Sequence, residues 1–316
     1  MLFVYATAIL ALRGIEQYLL RRGGKVHLFL LTLGFGIVTA AVLALASVGL
    51  SLQFGVTNYV NFAYGAYLAV GMYMTYTCIT AFHLPFLLGA VVGILTAGIV
   101  AVVVDILILE RFVKRGTSGF FLLIVTFGLQ LILLNLAQAI WGVGFDRYPI
   151  AQGAPLTIGP FSVTVAQLEV VGVAIVALIA VHLLLTKSRL GKAMRAMSDN
   201  KMLAQASGID INATTLWTWF FTGCLAGLGG IALALNTVEF QVFTGNSFLF
   251  VIFAAVILGG IGKIYGAMLG ALIIGLVVGL SSLVISSAYN VDVAFAVLVI
   301  VLLIRPQGIF AIAGKA

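Results

Sequence analysis

The residues of this sequence that could take part in binding or chemistry are neutral polar side chains. They stand in an otherwise apolar chain. The stretch VTNYVNFAYGAYLAVG at 56–71 carries two asparagines and three tyrosines, although 63% of the chain is hydrophobic and only 8% is charged. Amides, hydroxyls and phenols form weak, replaceable hydrogen bonds, which suit the capture and release of a passing solute. The candidate pathway residues are Asn58, Asn61, Tyr64, Thr126 and Gln130, with Asn135 as a further candidate.

The same side chains also bond neighbouring helices to one another inside a membrane, at about 0.6–2 kcal/mol each. Helical spacing of about 100° per residue places Thr126 and Gln130 on one face, together with Leu134. Asn135 falls outside that face, so it either lines a pathway or bonds two helices. Both interpretations of the polar residues stay open at this stage.

The sequence lacks the motifs of enzymatic chemistry. No His-Glu-x-x-His, Gly-x-Ser-x-Gly or carboxylate cluster occurs, and no metal site is predicted. The GGIGK stretch at 259–263 differs from a phosphate-binding Walker A loop, because Ile257 and Ile264 replace the loop's first glycine and its final Ser or Thr. We therefore expect no catalytic residue, no cofactor and no ATPase site in this chain.

Ionisable residues that could couple transport to an ion gradient are few, and they lie near the ends of apolar runs. An ionisable group deep in a membrane costs a few kcal/mol and is normally retained for a purpose. The energy for transport must then come from another chain. The residues concerned are Asp105, Glu169, His182, Glu239 and Asp292.

The composition places these residues in a lipid bilayer. Soluble domains carry about 25% charged residues, well above the 8% of this chain. Because a bilayer core of about 30 Å needs roughly 20 helical residues, we predict an all-α polytopic integral membrane protein with about 8–9 membrane helices, at least one of them broken or re-entrant. The candidate spans are 27–50, 62–82, 84–109, 119–141, 161–186, 213–238, 248–262, 264–287 and 291–304.

Basic clusters set the expected orientation through the positive-inside rule. The clusters at 21–25, 111–115 and 187–201 are placed in the cytoplasm, and they explain the net charge of +7 without nucleic acid. Residues 1–26 are predicted as a membrane-associated segment and basic loop. Three apolar segments separate the first two clusters, whereas an even number of crossings is required. One segment must therefore turn back, and the helix-breaking residues at 53–61 favour a broken helix there.

Glycines at helical spacing predict close helix packing in the last third of the chain. Small residues four apart let two helix backbones approach, and a glycine-rich bend precedes Lys263. The predicted packing residues are Gly259, Gly260, Gly262, Gly266 and Gly270.

The loop at 187–212 is the longest polar segment between spans and is predicted to form a short amphipathic helix on the cytoplasmic surface. Gly208 is expected to stop this helix. The helix either binds anionic lipid headgroups or docks a cytoplasmic partner. Its apolar side is predicted to contain Ala193, Met194, Met197, Leu203 and Ala204, and its polar side Arg195, Asp199, Asn200 and Lys201.

Five motifs resemble those of the permease subunits of branched-chain amino-acid ABC importers. The family's Gly-(Lys/Arg)-Ala-x-Arg-Ala run corresponds to 191–196, and its Ala-x-x-x-Gly-Ile segment to 204–209. Its early Asn-Phe-Ala-x-Gly matches 61–65, its late glycine-rich run matches 256–275, and its closing Pro-x-Gly matches 302–310. The motifs occur in the expected order over nearly all of the chain.

The resemblance implies a permease transmembrane domain at 27–310 with a cytoplasmic coupling loop at 187–212. It implies import of branched-chain amino acids or related small carboxylate or amide solutes, and coupling to cytoplasmic ATPases. The coupling residues would be Gly191, Lys192, Arg195, Asp199, Asn200 and Gly208.

The resemblance also implies the partners. These are a second permease chain, either identical or a paralogue, two ATPases that bind ATP and Mg²⁺, and a periplasmic or tethered solute-binding protein, all at the bacterial inner membrane with its lipid. The solute and the kind of permease pair stay open. The alternatives are an ion-coupled secondary transporter and a passive channel for small solutes.

Overall fold

The computed structural model describes residues 2–150, 156–158, 161–283, 286 and 289–304. The chain is helical almost throughout, as the apolar runs predict. The helices are α1 (Leu2–Thr57), α2 (Tyr64–Thr80), α3 (Phe86–Val104), α4 (Glu110–Lys114), α5 (Gly119–Trp141), α6 (Val165–Lys187), α7 (Arg189–Asp199), α8 (Lys201–Ala206), α9 (Ile211–Thr237), α10 (Thr244–Gly259), α11 (Ile264–Ser281) and α12 (Asn290–Ile304), and a π-helical turn, Asp105–Leu109, joins α3 to α4.

Six helices in the described part of the chain are long and apolar enough to cross a membrane. The prediction of a polytopic helical membrane protein is therefore confirmed. Each of the nine candidate spans overlaps a helix, but α2, α10 and α12 are shorter than the six. The six are Phe29–Thr57, Phe86–Lys114, Gly119–Trp141, Val165–Lys187, Ile211–Thr237 and Ile264–Ser281.

A short hairpin departs from the all-α prediction. Strands β1 (Leu156–Ile158) and β2 (Phe161–Val163) pair antiparallel, with Leu156 opposite Val163. A further bridge joins Asp146 to Phe240, where the Asp146 N–H donates to the Phe240 carbonyl oxygen at 2.8 Å. The bridge between Asp146 and Phe240 ties the loop after α5 to the loop after α9.

Glycine contacts bring the central helices together. A Cβ atom at Gly71 of α2 would lie 2.4 Å from the Gly227 Cα atom of α9, so the two backbones touch. Gly259 of α10 and Gly266 of α11 face each other in the same way, since a Cβ at Gly259 would lie 2.0 Å from the Gly266 carbonyl oxygen. Gly270 lies against Ala255, where the added Cβ would meet the carbonyl oxygen at 2.1 Å.

The two remaining predicted glycines lie in the bend between α10 and α11. Gly260 has φ +99° and Gly262 has φ +78°, a region that side chains rarely adopt. Each glycine therefore allows a reversal that a larger residue would strain.

The directions in which α1, α2 and α3 run explain why none of these segments needs to turn back within the membrane. Gly55, in the last turns of α1, faces Ser198 of α7. Gly36, in the first part of the membrane-crossing region of α1, faces Gly279 near the far end of α11. α1 therefore runs toward α7, α2 leads away from it and α3 returns, so three traverses suffice. The structure does not confirm the expected turn-back, because the described part of the α1 span begins at the end of the bundle away from α7.

Two predicted segments are not covered. The motif at 305–310 lies outside the described residues, and residues 2–28 are described only as helical backbone.

Candidate functional site

The first candidate site is a break between α1 and α2. α1 ends at Thr57 and α2 begins at Tyr64. Asn58 has φ +62°, and its N–H donates to the Phe54 carbonyl oxygen at 2.7 Å. Asparagine tolerates this left-handed conformation better than most residues, so Asn58 ends α1. Its side chain is exposed.

Asn61 closes the break from within. Its side chain is buried, its Nδ2 donates to Gln53 Oε1 at 3.1 Å, and its Oδ1 accepts the Ala63 N–H at 3.0 Å. One amide thus joins the last turns of α1 to the residue that precedes α2.

Two side chains of α5 complete the polar cluster. Thr126 Oγ1 accepts the Phe62 N–H at 3.2 Å and donates to the Leu123 carbonyl oxygen at 2.9 Å. Gln130 Nε2 donates to Asn246 Oδ1 of α10. We call Gln53, Asn61, Thr126, Gln130 and Asn246 the central polar cluster.

The cluster has unused hydrogen-bonding capacity. Within the described residues, Gln53 Nε2 and Gln130 Oε1 are buried without a hydrogen-bond partner. A buried polar atom without a partner costs free energy, so such atoms need a reason. The sequence analysis did not name Gln53 or Asn246 as partners of the predicted polar residues. The Thr-Gly-Asn start of α10 was the available signal for Asn246.

The other predicted pathway residues lie apart from the cluster's free atoms. Tyr64 is fully buried, and its hydroxyl donates to the Ala46 carbonyl oxygen at 3.0 Å. Asn135 is exposed on α5, and its Nδ2 donates to the Leu131 carbonyl oxygen at 2.7 Å. The structure thus brings Asn61, Thr126 and Gln130 together and leaves Asn58 and Asn135 outside.

An apolar cavity of ≈ 320 Å³ adjoins the break between α1 and α2. The Phe62 ring, in the break itself, lies 4.9 Å from the Phe253 ring, centroid to centroid. The cavity wall has essentially no polar surface. Its aromatic lining consists of Phe54, Phe62, Phe250, Phe253 and Phe295.

Replacing Asn61 by Ala should destabilise the protein by about 1–3 kcal/mol, because Gln53 Oε1 and the Ala63 N–H lose their buried partner. Thermal unfolding in detergent measures the change. Asn58→Gly is the control, since glycine accepts the left-handed conformation and the Asn58 side chain is exposed. Equal melting temperatures for Asn61→Ala and the wild type would contradict the assignment.

The second candidate site is the segment formed by α7 and α8, which we call the coupling segment (189–206). The prediction of one helix was wrong: α7 ends at Asp199 and α8 begins at Lys201. Asn200 separates them with φ −158° and ψ 103°, and its Oδ1 caps α8 by accepting the Leu203 N–H at 3.0 Å.

The break between α7 and α8 changes which side chains are buried. Met194, Met197 and Ala204 are buried as predicted, whereas Leu203 is 64% exposed. The capped start of α8 turns Leu203 away from the face that α7 presents. The exposed residues of the coupling segment include Lys192, Arg195, Asp199, Asn200, Lys201, Met202 and Leu203.

A tight corner joins α6 to α7. A Cβ at Gly191 would lie 2.0 Å from the Leu184 carbonyl oxygen. Ser188 caps α7, because its Oγ accepts the Gly191 N–H at 2.8 Å. Gly208 ends the segment at φ +83°, which is the stop that the sequence predicts.

A pocket of ≈ 350 Å³ separates α7 from the bend between α10 and α11. Arg195, Ser198 and Asp199 line one side, and Gly262 and Lys263 line the other. The predicted coupling residues therefore share an end of the bundle with the glycine bend.

The comparisons with known proteins agree with one another. A family described as branched-chain amino acid transport system / permease component matches residues 32–303. The probable branched-chain amino acid transport permease protein LivH of Methanocaldococcus jannaschii is 33% identical over 298 residues, which cover 88% of this chain and 91% of that protein. The Escherichia coli high-affinity branched-chain amino acid transport system permease protein LivH is 28% identical, over 87% of this chain and 92% of that protein.

A sugar permease is also similar. The D-allose transport system permease protein AlsC of Escherichia coli is 28% identical over 246 residues, which cover 74% of this chain and 71% of that protein. The family match and the amino-acid permeases extend over more of the chain. The family match over residues 32–303, the 33% identity to the archaeal permease and the apolar helices together show that the chain belongs to the family of branched-chain amino acid ABC transporter permeases.

Proposed function

We propose that this chain is the transmembrane permease subunit of an ATP-driven importer for branched-chain amino acids or related small solutes. It would form part of the translocation pathway and receive its driving force from cytoplasmic ATPases. Family membership supports the class of transporter. The packing of the coupling segment supports the mechanism.

The observation that carries the proposal is a small apolar cluster beneath α7. Met194, Met197 and Ala204 of the coupling segment pack in one cluster with Leu52 and Val56 of α1. These two residues belong to the last turns of α1, directly before the break at 58–63. A rigid-body movement of the coupling segment would therefore be transmitted to the break, because a packed cluster shifts as a unit.

The central polar cluster and the apolar cavity support the solute class. Gln53 Nε2 and Gln130 Oε1 are a donor and an acceptor without partners in the described residues, so they could bind the carboxylate or ammonium group of an amino acid. The phenylalanine-lined cavity offers an apolar side chain a place that a sugar hydroxyl would avoid. We therefore favour an amino acid over a sugar.

The proposed complex has the partners that the resemblance implies. A second permease chain completes the pathway, two cytoplasmic ATPases bind ATP and Mg²⁺, and a periplasmic or tethered binding protein delivers the solute at the bacterial inner membrane. The described residues contain no group of three His, Cys, Asp or Glu side chains that could hold a metal ion.

Arg195→Glu should reduce solute-stimulated ATP hydrolysis at least tenfold in the reconstituted complex, while membrane insertion stays normal. Arg195 is exposed on α7, beside the packed Met194. A reversed charge there would repel the ATPase surface that a cation fits. Phosphate release with and without binding protein and solute measures the effect, and Arg147→Glu, which reverses an exposed charge in the loop after α5, is the control.

Other outcomes would identify the alternatives. Unchanged stimulation in Arg195→Glu would remove the coupling role of α7. Uptake that survives ATP depletion and collapses with an uncoupler would indicate a secondary transporter. Solute flux through the purified chain alone in liposomes would indicate a channel.

A further inference from the structure

A buried carboxylate outside the central polar cluster has no role in the mechanism above. Asp105 is 3% exposed and is the one charged side chain among the buried residues that the structure describes. Its position near the end of an apolar run suggested a residue that reaches the aqueous boundary. The structure instead encloses it between helices, where an ionisable group needs a partner and a purpose.

The backbone at Asp105 is specialised. Asp105 begins the π-helical turn Asp105–Leu109, and the Glu110 N–H donates to the Asp105 carbonyl oxygen five residues before it. A π-helical turn inserts one extra residue into an α-helix and re-aims the side chains that follow, and such turns are frequent at functional sites. The turn lies between α3 and α4.

Asp105 lines a small pocket where four parts of the chain meet. The pocket has a volume of ≈ 70 Å³, enough for a few water molecules. Thr57 and Tyr59 reach it from the α1–α2 break, and Lys201 reaches it from the coupling segment. The remaining lining residues are Glu110, Val113, Lys114, Ile211, Asn212, Thr215 and Leu216.

Two cations of this pocket act on Asp105, and one of them is already paired with another carboxylate. Lys114 Nζ lies 2.6 Å from Glu110 Oε1, and this is the one ion pair within the described ranges. Lys201 takes part in no ion pair there, yet it interacts electrostatically with Asp105, as Lys114 and Glu110 also do. Tyr59 also lies within electrostatic range of Asp105.

We propose that Asp105 and Lys201 form an electrostatic link through which α8 positions the π-helical turn at the end of α3, beside the α1–α2 break. Asp105 is then a positioning residue: it contacts no solute in this role, but it attracts the first residue of α8 across a pocket that Tyr59 shares. The inference deepens the proposed function, because it rests on movement of the coupling segment during transport.

The physical reason is the cost of an uncompensated buried charge. When α8 moves away, the buried Asp105 carboxylate loses the attraction of the exposed Lys201 ammonium, and a buried charge without compensation costs free energy. Asp105 and the π-helical turn that it begins are therefore drawn after α8. The apolar cluster at Met194 and Met197 transmits movement to α1, and this link transmits it to α3.

A double-mutant cycle tests the link. Asp105→Asn, Lys201→Met and the double variant are assembled with the ATPases and binding protein, and solute uptake and ATP hydrolysis are measured together. Each single variant should lower the solute taken up per ATP hydrolysed about tenfold, and the double variant should be no worse than either. Lys201→Arg, which keeps the charge, should restore the ratio, and Arg147→Met, which removes an exposed cation from the loop after α5, should behave as the wild type.

The same cycle is measured by thermal unfolding of the full-length permease in detergent. The shifts in melting temperature should be non-additive, because removing both charges leaves no unpaired carboxylate. Additive shifts, or a Lys201→Met variant that matches the wild type in both measurements, would overturn the link. A wild-type complex without solute-stimulated ATP hydrolysis would instead overturn the proposed function, and the non-additive unfolding shifts would still support the contact.

Discussion

Gly71→Val should almost abolish the accumulation of folded permease. A Cβ at residue 71 would lie 2.4 Å from the Gly227 Cα atom and 2.8 Å from its carbonyl oxygen. Both atoms belong to the backbone, so no side-chain rotation relieves the clash. The two helices must separate, and the contacts between α2, α3 and α9 are lost together.

The expected cost of Gly71→Val exceeds the about 1–3 kcal/mol of ordinary overpacking, because backbone rather than side chains must move. Yield in the membrane fraction, size-exclusion profile and melting temperature measure it. Gly172→Val in α6 is the matched control, since a Cβ there meets no atom within 4 Å. A monodisperse Gly71→Val protein with wild-type stability would show that α2 and α9 do not touch at these glycines.

Gly191→Val should separate folding from function. A Cβ at residue 191 would lie 2.0 Å from the Leu184 carbonyl oxygen and 2.5 Å from the Leu185 Cα atom. The corner between α6 and α7 would open and displace the coupling segment. Because α7 is exposed on its other side, the permease should still accumulate in the membrane.

We expect solute-stimulated ATP hydrolysis by the assembled Gly191→Val complex to fall more than tenfold, because a displacement of about 1 Å from a productive geometry can cost about a hundredfold in rate. Gly119→Val, at the start of α5, is the control, since its added Cβ meets nothing within 4 Å. Normal stimulation in Gly191→Val would mean that the corner does not set the position of α7.

The helical period correctly predicted part of the central polar cluster. Thr126, Gln130 and Leu134 share a face of α5, and all three are buried. Their partners could not be predicted from periodicity. Thr126 bonds Phe62, 64 residues away in the chain, and Gln130 bonds Asn246, 116 residues away. Such pairings depend on which helices pack together, and one sequence carries no record of that choice.

The coupling segment shows where a local pattern stops being informative. A single helix correctly predicts that Met194 and Met197 are buried, but it places Leu203 on the same face. Asn200 prefers to cap a new helix, and the new helix axis exposes Leu203. A continuous period could not reveal this change of direction.

Composition and local pattern alone determined that the chain lies in a membrane, that it is helical, where its apolar helices run, and which family its motifs resemble. These properties depend on hydrophobicity and on residues close in the chain. The tertiary structure alone decided which amides meet, which glycines carry backbone contacts, and that Asp105 is buried at a pocket that Lys201 also lines. Those properties depend on the packing of distant segments, where a shift of one helical turn changes every contact.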